Sequence, residues 1–309
     1  MSPPAPPDTD AAAQSARYRV RHRTEYRYRQ SVALAHHLLL LQPRVLAHQR
    51  CLAQQIAIEP LPEVTGDHVD CFGNPVRYLA IQKPHDGLVV DSRLEVETTP
   101  RAALDAGATP PWEMLREQIA RAGDDDARAA AAFGFASPRV PLLRTLADYA
   151  RRSFEPKRPV GLAAIDLMSR IHRDFAFDPR ATTVSATLDE VLVARSGVCQ
   201  DLAHVGIGCV RALGLSARYV SGYLRTFAPP GQERLRGADA SHAWFSVWCG
   251  GALWLDLDPT NDQAPSTDHV TVAWGRDFDD VSPVRGVLFG GGSHRLSVMV
   301  DVDPDPDPV

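Results

Sequence analysis

At 309 residues the chain is long for one hydrophobic core and suited to two. Its 44% hydrophobic and 23% charged content is that of an ordinary globular protein, and a net charge of −5 excludes the basic footprint of a nucleic-acid binder. No apolar run approaches the ~18 residues of a membrane span, and Met1 to Ala16 lacks the charged start and apolar stretch of an export signal, so a cytoplasmic protein without membrane partners is expected.

Residues 1–16, rich in proline and alanine, bury nothing and read as a disordered leader. From Arg17 to Arg29 arginines alternate with Tyr18, Val20, His22, Thr24, Tyr26 and Tyr28, the pattern of a strand with one buried and one solvated face. The arginine row also suits a phosphate strip, but the acidic whole favours the solvated face. Apolar runs at 33–41, 51–58, 75–81 and 88–97, with turn chemistry at Gly66-Asp67 and Gly73-Asn74, make residues 17–105 a β-rich sandwich. His36 and His37 are adjacent, so a strand points them to opposite faces and they cannot share a metal. Residues 106–135 read as a helical connector.

The segment 136–302 then reads as a second module. Helical patterns at 140–153 and 160–175 and a short helix or turn at 187–195 lead to an apolar helix from Val198 to Leu213, stopped by Gly214. Strands follow at 217–225, 242–248, 252–258, 270–273 and 296–302, an α+β order of helices first and antiparallel strands later. Between them 227–240 reads as a surface connection bordering a cleft, and 303–309 as a solvated acidic tail.

Cys199 stands in the first turn of the apolar helix. A cysteine attacks as thiolate, and its unperturbed pKa near ~8.5 calls for a device that favours the anion. The helix N-terminus supplies unpaired N–H groups and the positive dipole end, which also suit an oxyanion, and Gly197 is expected to leave room for substrate. His242 and Asp258 lie on the strands 242–248 and 252–258, which read as a hairpin around Cys249-Gly250-Gly251. A three-residue loop that sets Trp248 opposite Ala252 sets His242 opposite Asp258, on one face; a two-residue loop sends Asp258 to the other face, and Asp256 competes for the same role. Thiol, imidazole and carboxylate in this order suggest nucleophilic acyl chemistry.

The blocks Gly197-Val198-Cys199-Gln200-Asp201, Arg218-Tyr219-Val220-Ser221-Gly222-Tyr223, His242-Ala243-Trp244, Leu257-Asp258-Pro259-Thr260-Asn261 and Gly275-Arg276-Asp277 resemble the transglutaminase-like superfamily, closest to its bacterial cysteine-protease branch. Asp70-Cys71-Phe72-Gly73-Asn74 is similar to the N-terminal region that accompanies this core in bacteria, so the likeness spans roughly residues 17–302. The resemblance implies a papain-like or transglutaminase-like α+β core with Cys199 as nucleophile, His242 as base and Asp258 as its orienting partner. It implies a cysteine peptidase or amidase acting on a peptide or amide substrate, with amine transfer as the alternative.

Two other readings stand beside it. Asp201 and His204, three apart on the helix, suit a metal site with Cys199 and His242, though no paired ligand motif accompanies them; no metal or other cofactor is expected. A peptide-binding module without catalysis is the other. Asp201 otherwise serves the helix N-terminus, and His204 reads as a partly buried, hydrogen-bonded histidine. Cys51, Cys71, Cys209 and Cys249 read as structural free thiols, and Trp244, Trp248 and Trp254 as core or cleft wall.

Overall fold

The structure, a computed structural model, describes residues 15–178, 186–226 and 241–305. Most of the expected leader, the loop 227–240 and the end of the tail lie outside the described residues.

Alternation in the first strand is realised residue by residue. In β1 (Ala16–Leu39) Tyr18, Val20, His22 and Thr24 are buried while the intervening arginines face outward. Carboxylates answer those arginines: Arg21 pairs with Asp91 at 2.5 Å, Arg17 and Arg50 with Glu97 at 3.3 and 2.6 Å, and Arg19 with Asp305 at 2.8 Å. Most of the row is thus paired with carboxylates on the solvated face.

β2 (Gln49–Glu59), β3 (Val64–Val69), β4 (Pro75–Ile81) and β5 (His85–Thr98) follow. Gly66-Asp67, expected as a turn, lies inside β3, an exposed edge strand held to β4 by the Arg77–Asp67 pair. β4 and β5 form one long ribbon antiparallel to β1, interrupted near Lys83-Pro84. On the other side of β1 runs a second ribbon from the chain's end, β12 (Val284–Gly290) and β13 (His294–Pro304). All three ribbons break at the same level, β1 between Arg27 and Val32 and its C-terminal neighbour at Gly290-Gly291-Gly292, all with positive φ. The expected sandwich is therefore one curled antiparallel sheet, folded over a core of Tyr28, Val32, Leu39, Ile81, Leu88, Val90 and Val284.

This ribbon corrects two boundaries. The strand near residue 300, assigned from sequence to the 136–302 module, belongs to the N-terminal sheet. The acidic tail is ordered through Asp305, whose amide donates to the Arg17 carbonyl.

Between the two ends lie α1 (Trp112–Arg121), α2 (Asp125–Ala131), α3 (Arg144–Arg151), α4 (Val160–Asp174), β6 (Ala176–Phe177), α5 (Leu188–Ala194), β7 (Ser196–Gly197) and α6 (Cys199–Ala212). Then come β8 (Ala217–Leu224), β9 (Ser241–Trp248), β10 (Trp254–Leu257), β11 (His269–Gly275) and α7 (Phe278–Val281). The second sheet runs β10-β9-β8-β11, and α6 packs on it so closely that a Cβ at Gly206 would lie 2.6 Å from the Phe245 ring. The architecture is α+β: a curled β-sheet followed by a helix-on-antiparallel-sheet core. Among the described residues no helix is long and apolar enough to cross a membrane.

The two parts share one core, in which Tyr18, Val20, Val96 and Val302 join residues of α6, β8 and β9. β11 is the edge of its sheet, and amide side chains of the N-terminal part cover it. Gln49 donates to the Thr271 carbonyl at 2.8 Å and accepts from its amide at 2.7 Å. Asn74 does the same for Trp274, at 2.8 and 3.0 Å. An amide side chain offers the donor and acceptor of a backbone peptide, so it closes an edge that would otherwise be left open. Asn74 is itself held by Asp70, which explains the Asp70–Asn74 block as a clasp.

Candidate active site

Cys199 opens α6 and is half-buried. The turn before it is fixed by Asp201, whose carboxylate accepts the Val198 amide at 2.9 Å. A Cβ at Gly197 would lie 2.7 Å from that carboxylate, so glycine here makes room for the Asp201 cap and not, as expected from sequence, for substrate. His204, one turn on, is fully buried and accepts the Phe278 amide on Nε2 at 3.2 Å; burial pushes its ring down to about 3, so it is neutral. With Asp201 and His204 each committed to a backbone amide, the ligand set imagined from sequence is not assembled.

The hairpin differs from its expected register. Trp248 pairs with Trp254 and not with Ala252, because the turn is five residues long: Cys249 N donates to Leu253 O, and Gly250 and Gly251 take positive φ. Asp256 consequently lies opposite Ser246 and is held there by the Ser246 hydroxyl and by Arg101 at 2.5 Å. The slip is by two residues, and an even slip preserves the face. Asp258 passes just beyond β10, diagonal to His242 on the same face, and its carboxylate meets His242 Nε2 at 2.8 Å.

Asp258 is fully buried and its position is over-determined. Its carboxylate accepts the Thr260 amide at 3.0 Å, the Asn261 side chain at 2.7 Å and His269 Nε2 at 3.2 Å. The Asp258-Pro259-Thr260-Asn261 block is thus an Asx-type turn that presents a carboxylate. Burial raises that carboxyl, but the His242 and His269 bonds outweigh it and hold it well below the usual range. For His242 burial works downward, and the Asp258 carboxylate and the Cys199 sulfur, both hydrogen-bonded to the ring, raise it to about 10. Since Asp258 takes Nε2, the nitrogen left for sulfur is Nδ1.

His269 carried no recognised sequence signal. Its Nδ1 accepts the Ser266 amide at 3.1 Å, so its Nε2 carries the proton and donates to Asp258. Burial lowers its ring despite that carboxylate. A lone histidine at the polar start of the apolar strand 270–273 was the only available hint. His242, Asp258 and His269 bring ligand-type atoms within 4.8 Å of one another. The fixed Nε2–H makes His269 a donor in this group, which suits a carboxylate clamp better than a cation site.

Trp244 seals the group from behind, its ring 5.4 Å from that of His269 and nearly perpendicular. Gly222 makes room for it, since a Cβ there would lie 2.7 Å from the indole. Trp248 is core, with Nε1 donating to the Gly251 carbonyl at 2.7 Å, and Trp254 packs against Phe133 and the Arg218 guanidinium. Cys209 and Cys249 are buried, and burial pushes both thiols up, Cys249 to about 12. The Gly275-Arg276-Asp277 block is structural: the Arg276 carbonyl accepts from buried Arg211, and Asp277 caps α7 and accepts the Arg139 amide.

Comparison with known proteins places this arrangement. The transglutaminase-like superfamily model matches residues 147–259, and the bacterial transglutaminase-like N-terminal region matches residues 18–97. The Mycobacterium tuberculosis protein Rv2569c is 41% identical over 294 residues, 93% of this chain and 92% of that one. A protein-glutamine gamma-glutamyltransferase of Pseudomonas aeruginosa is 34% identical over 128 residues, 40% of this chain and 19% of its own. The crystal structure of a "putative cysteine protease" from Cytophaga hutchinsonii superposes with a TM-score of 0.73 at 19% identity, covering 96% of this chain and 93% of that one, a likeness of fold. The chain belongs to the transglutaminase-like superfamily, a family of thiol-dependent acyl transfer, and carries its bacterial N-terminal region ahead of the core.

Proposed function

We propose that the protein is a cysteine peptidase or amidase in which Cys199 is the nucleophile, His242 the acid and base, and Asp258 the group that orients the imidazole. The observation that carries this reading is the His242 ring held between the Asp258 carboxylate at 2.8 Å and the Cys199 thiol. An imidazole raised to about 10 is protonated at neutral pH, which suits an imidazolium–thiolate pair.

In this reading the thiolate attacks the amide carbonyl carbon and a C–S bond forms. The oxyanion is met by first-turn amides of α6: those of Asp201 and Leu202 already donate to the Val198 carbonyl, which leaves Cys199 and Gln200 as donors. His242 passes its proton to the leaving nitrogen, the C–N bond breaks and a thioester remains. Water then gives a proton to His242, attacks the thioester and releases the acid with return of the thiolate. If a primary amine attacks instead, the same groups perform amine transfer; the likeness of 128 residues to a protein-glutamine gamma-glutamyltransferase favours keeping that second outcome.

The test is covalent labelling with iodoacetamide, located by peptide mass, because Cys71 is also exposed. The 199 peptide is expected to label at pH 6 and Cys199→Ala to lose that label while staying folded. His242→Ala is expected to abolish the low-pH component. A wild-type rate at pH 6 equal to that of His242→Ala refutes the proposal. Turnover of peptide amides with and without added primary amine, blanked with Cys199→Ala, separates hydrolysis from transfer.

A further inference from the structure

The sheet face that carries Tyr18 and Val20 into the shared core continues beyond it. Further along β1 that face presents His22, Thr24 and Tyr26, each opposite a residue of β13: Val300, Val298 and Leu296. These six line one wall of a cavity of about 370 Å³. Its facing rim includes Gln200, which follows Cys199, and Ser241, which precedes His242. The cavity thus opens beside the thiol centre, and its far wall is made by β1 and β13.

The chemistry of that wall is apolar. Leu296 and Val298 are 49% and 48% exposed, while His22 and Thr24 beside them are bonded to protein. His22 Nδ1 bonds the Tyr223 hydroxyl at 3.0 Å and its Nε2 bonds Thr24 at 3.2 Å. With burial pushing His22 down to about 4, the ring is neutral and brings no charge to the wall. A half-exposed ladder of Leu296 and Val298, beside a histidine and a threonine whose hydrogen bonds are internal, selects by surface burial.

We propose that this cavity is a specificity subsite of the thiol centre that takes a large apolar side chain, leucine- or phenylalanine-like, from the residue flanking the scissile amide. The occupant follows from continuity: the residues adjacent to Cys199 and His242 form the rim, so a chain seated for attack at Cys199 places its neighbouring side chain against β1 and β13. The inference rests on the catalytic reading above and assigns the N-terminal region a direct part in substrate choice.

Two probe pairs test it, with rates read at Cys199 by peptide mass. The acyl side is probed by acetyl-glycine and acetyl-phenylalanine chloromethyl ketones, the amine side by chloroacetamide and its N-phenylethyl derivative. The wild type is expected to favour the aromatic member of at least one pair by tenfold or more. In Leu296→Gln and in Val298→Thr, both half-exposed positions where a polar residue leaves the strand intact, that ratio is expected to fall to threefold or less. Equal rates within both wild-type pairs, or a ratio unchanged in both variants, overturn the proposal. Failure of the catalytic reading is separate: it appears in the His242→Ala comparison with the small probe and does not enter the ratio.

Discussion

Replacing Asp258 by asparagine removes one charge from a fully buried carboxylate that accepts from two imidazoles, a backbone amide and a side-chain amide. Burial by itself drives the His242 ring below its ordinary 6.5, and Asp258 with Cys199 raises it to about 10. At ~1.4 kcal/mol per unit this rise favours the imidazolium by on the order of 5 kcal/mol, with Asp258 the first-ranked cause that raises it and Cys199 the next. A ring whose pKa is raised on folding contributes stability that is complete below pH 6.5 and lost as pH climbs to about 10. The Asp258 carboxyl, lowered on folding, contributes the opposite limb, present above about pH 4 and lost on acidification. Urea unfolding of the wild type at several pH values is therefore expected to fall off between pH 6.5 and 10. Asp258→Asn is expected to flatten that limb and to be less stable near pH 6 by about 3 kcal/mol, the scale of breaking one partner of a buried pair. Turnover is expected to fall by about 10³–10⁴, the loss seen when an orienting acid is removed from a comparable triad. Turnover within tenfold of wild type, with the alkaline limb unchanged, refutes the assignment of Asp258.

His269 is expected to act through Asp258 as a positioning residue. His269→Phe removes one charge-assisted bond of about 2 kcal/mol, so kcat should fall some tenfold with KM unchanged, and His269→Gln should recover part of it; equal kcat in all three proteins removes the role. In the curled sheet, Gly290 has φ 103° and a Cβ there would lie 2.6 Å from the Ser31 carbonyl. Gly290→Ala is expected to lower stability by about 2–3 kcal/mol, read as a lower urea midpoint, and an unchanged midpoint contradicts the bend assignment.

What could be read in advance divides along physical lines. Local periodicity is carried by neighbouring residues, so the buried face of β1, the start of α6 at Cys199 and its end at Gly214 were all legible. The hairpin register was not, because two glycines beside Cys249 permit loops of two, three or five residues and only the pairing of Trp248 with Trp254 decides among them. Asp258 still meets His242 despite the shifted register because face depends on the parity of the register and not on its value. His269 escaped because its partner is a carboxylate 11 residues away in sequence on another strand end, and no spacing rule reports such a meeting.

The C-terminal ribbon was missed for a related reason, and its placement changes what the N-terminal region is for. Read alone, 296–302 is a half-apolar strand that suits any nearby sheet, and it was given to the nearest one in sequence. Its true partner is β1, with Leu296 opposite Tyr26 and Val302 opposite Val20. Loop-closure entropy rises only slowly with length, so so distant a pairing is no obstacle once the intervening core has brought the ends together. The consequence is that the cavity wall across from Gln200 and Ser241 exists only when β1 and β13 have paired.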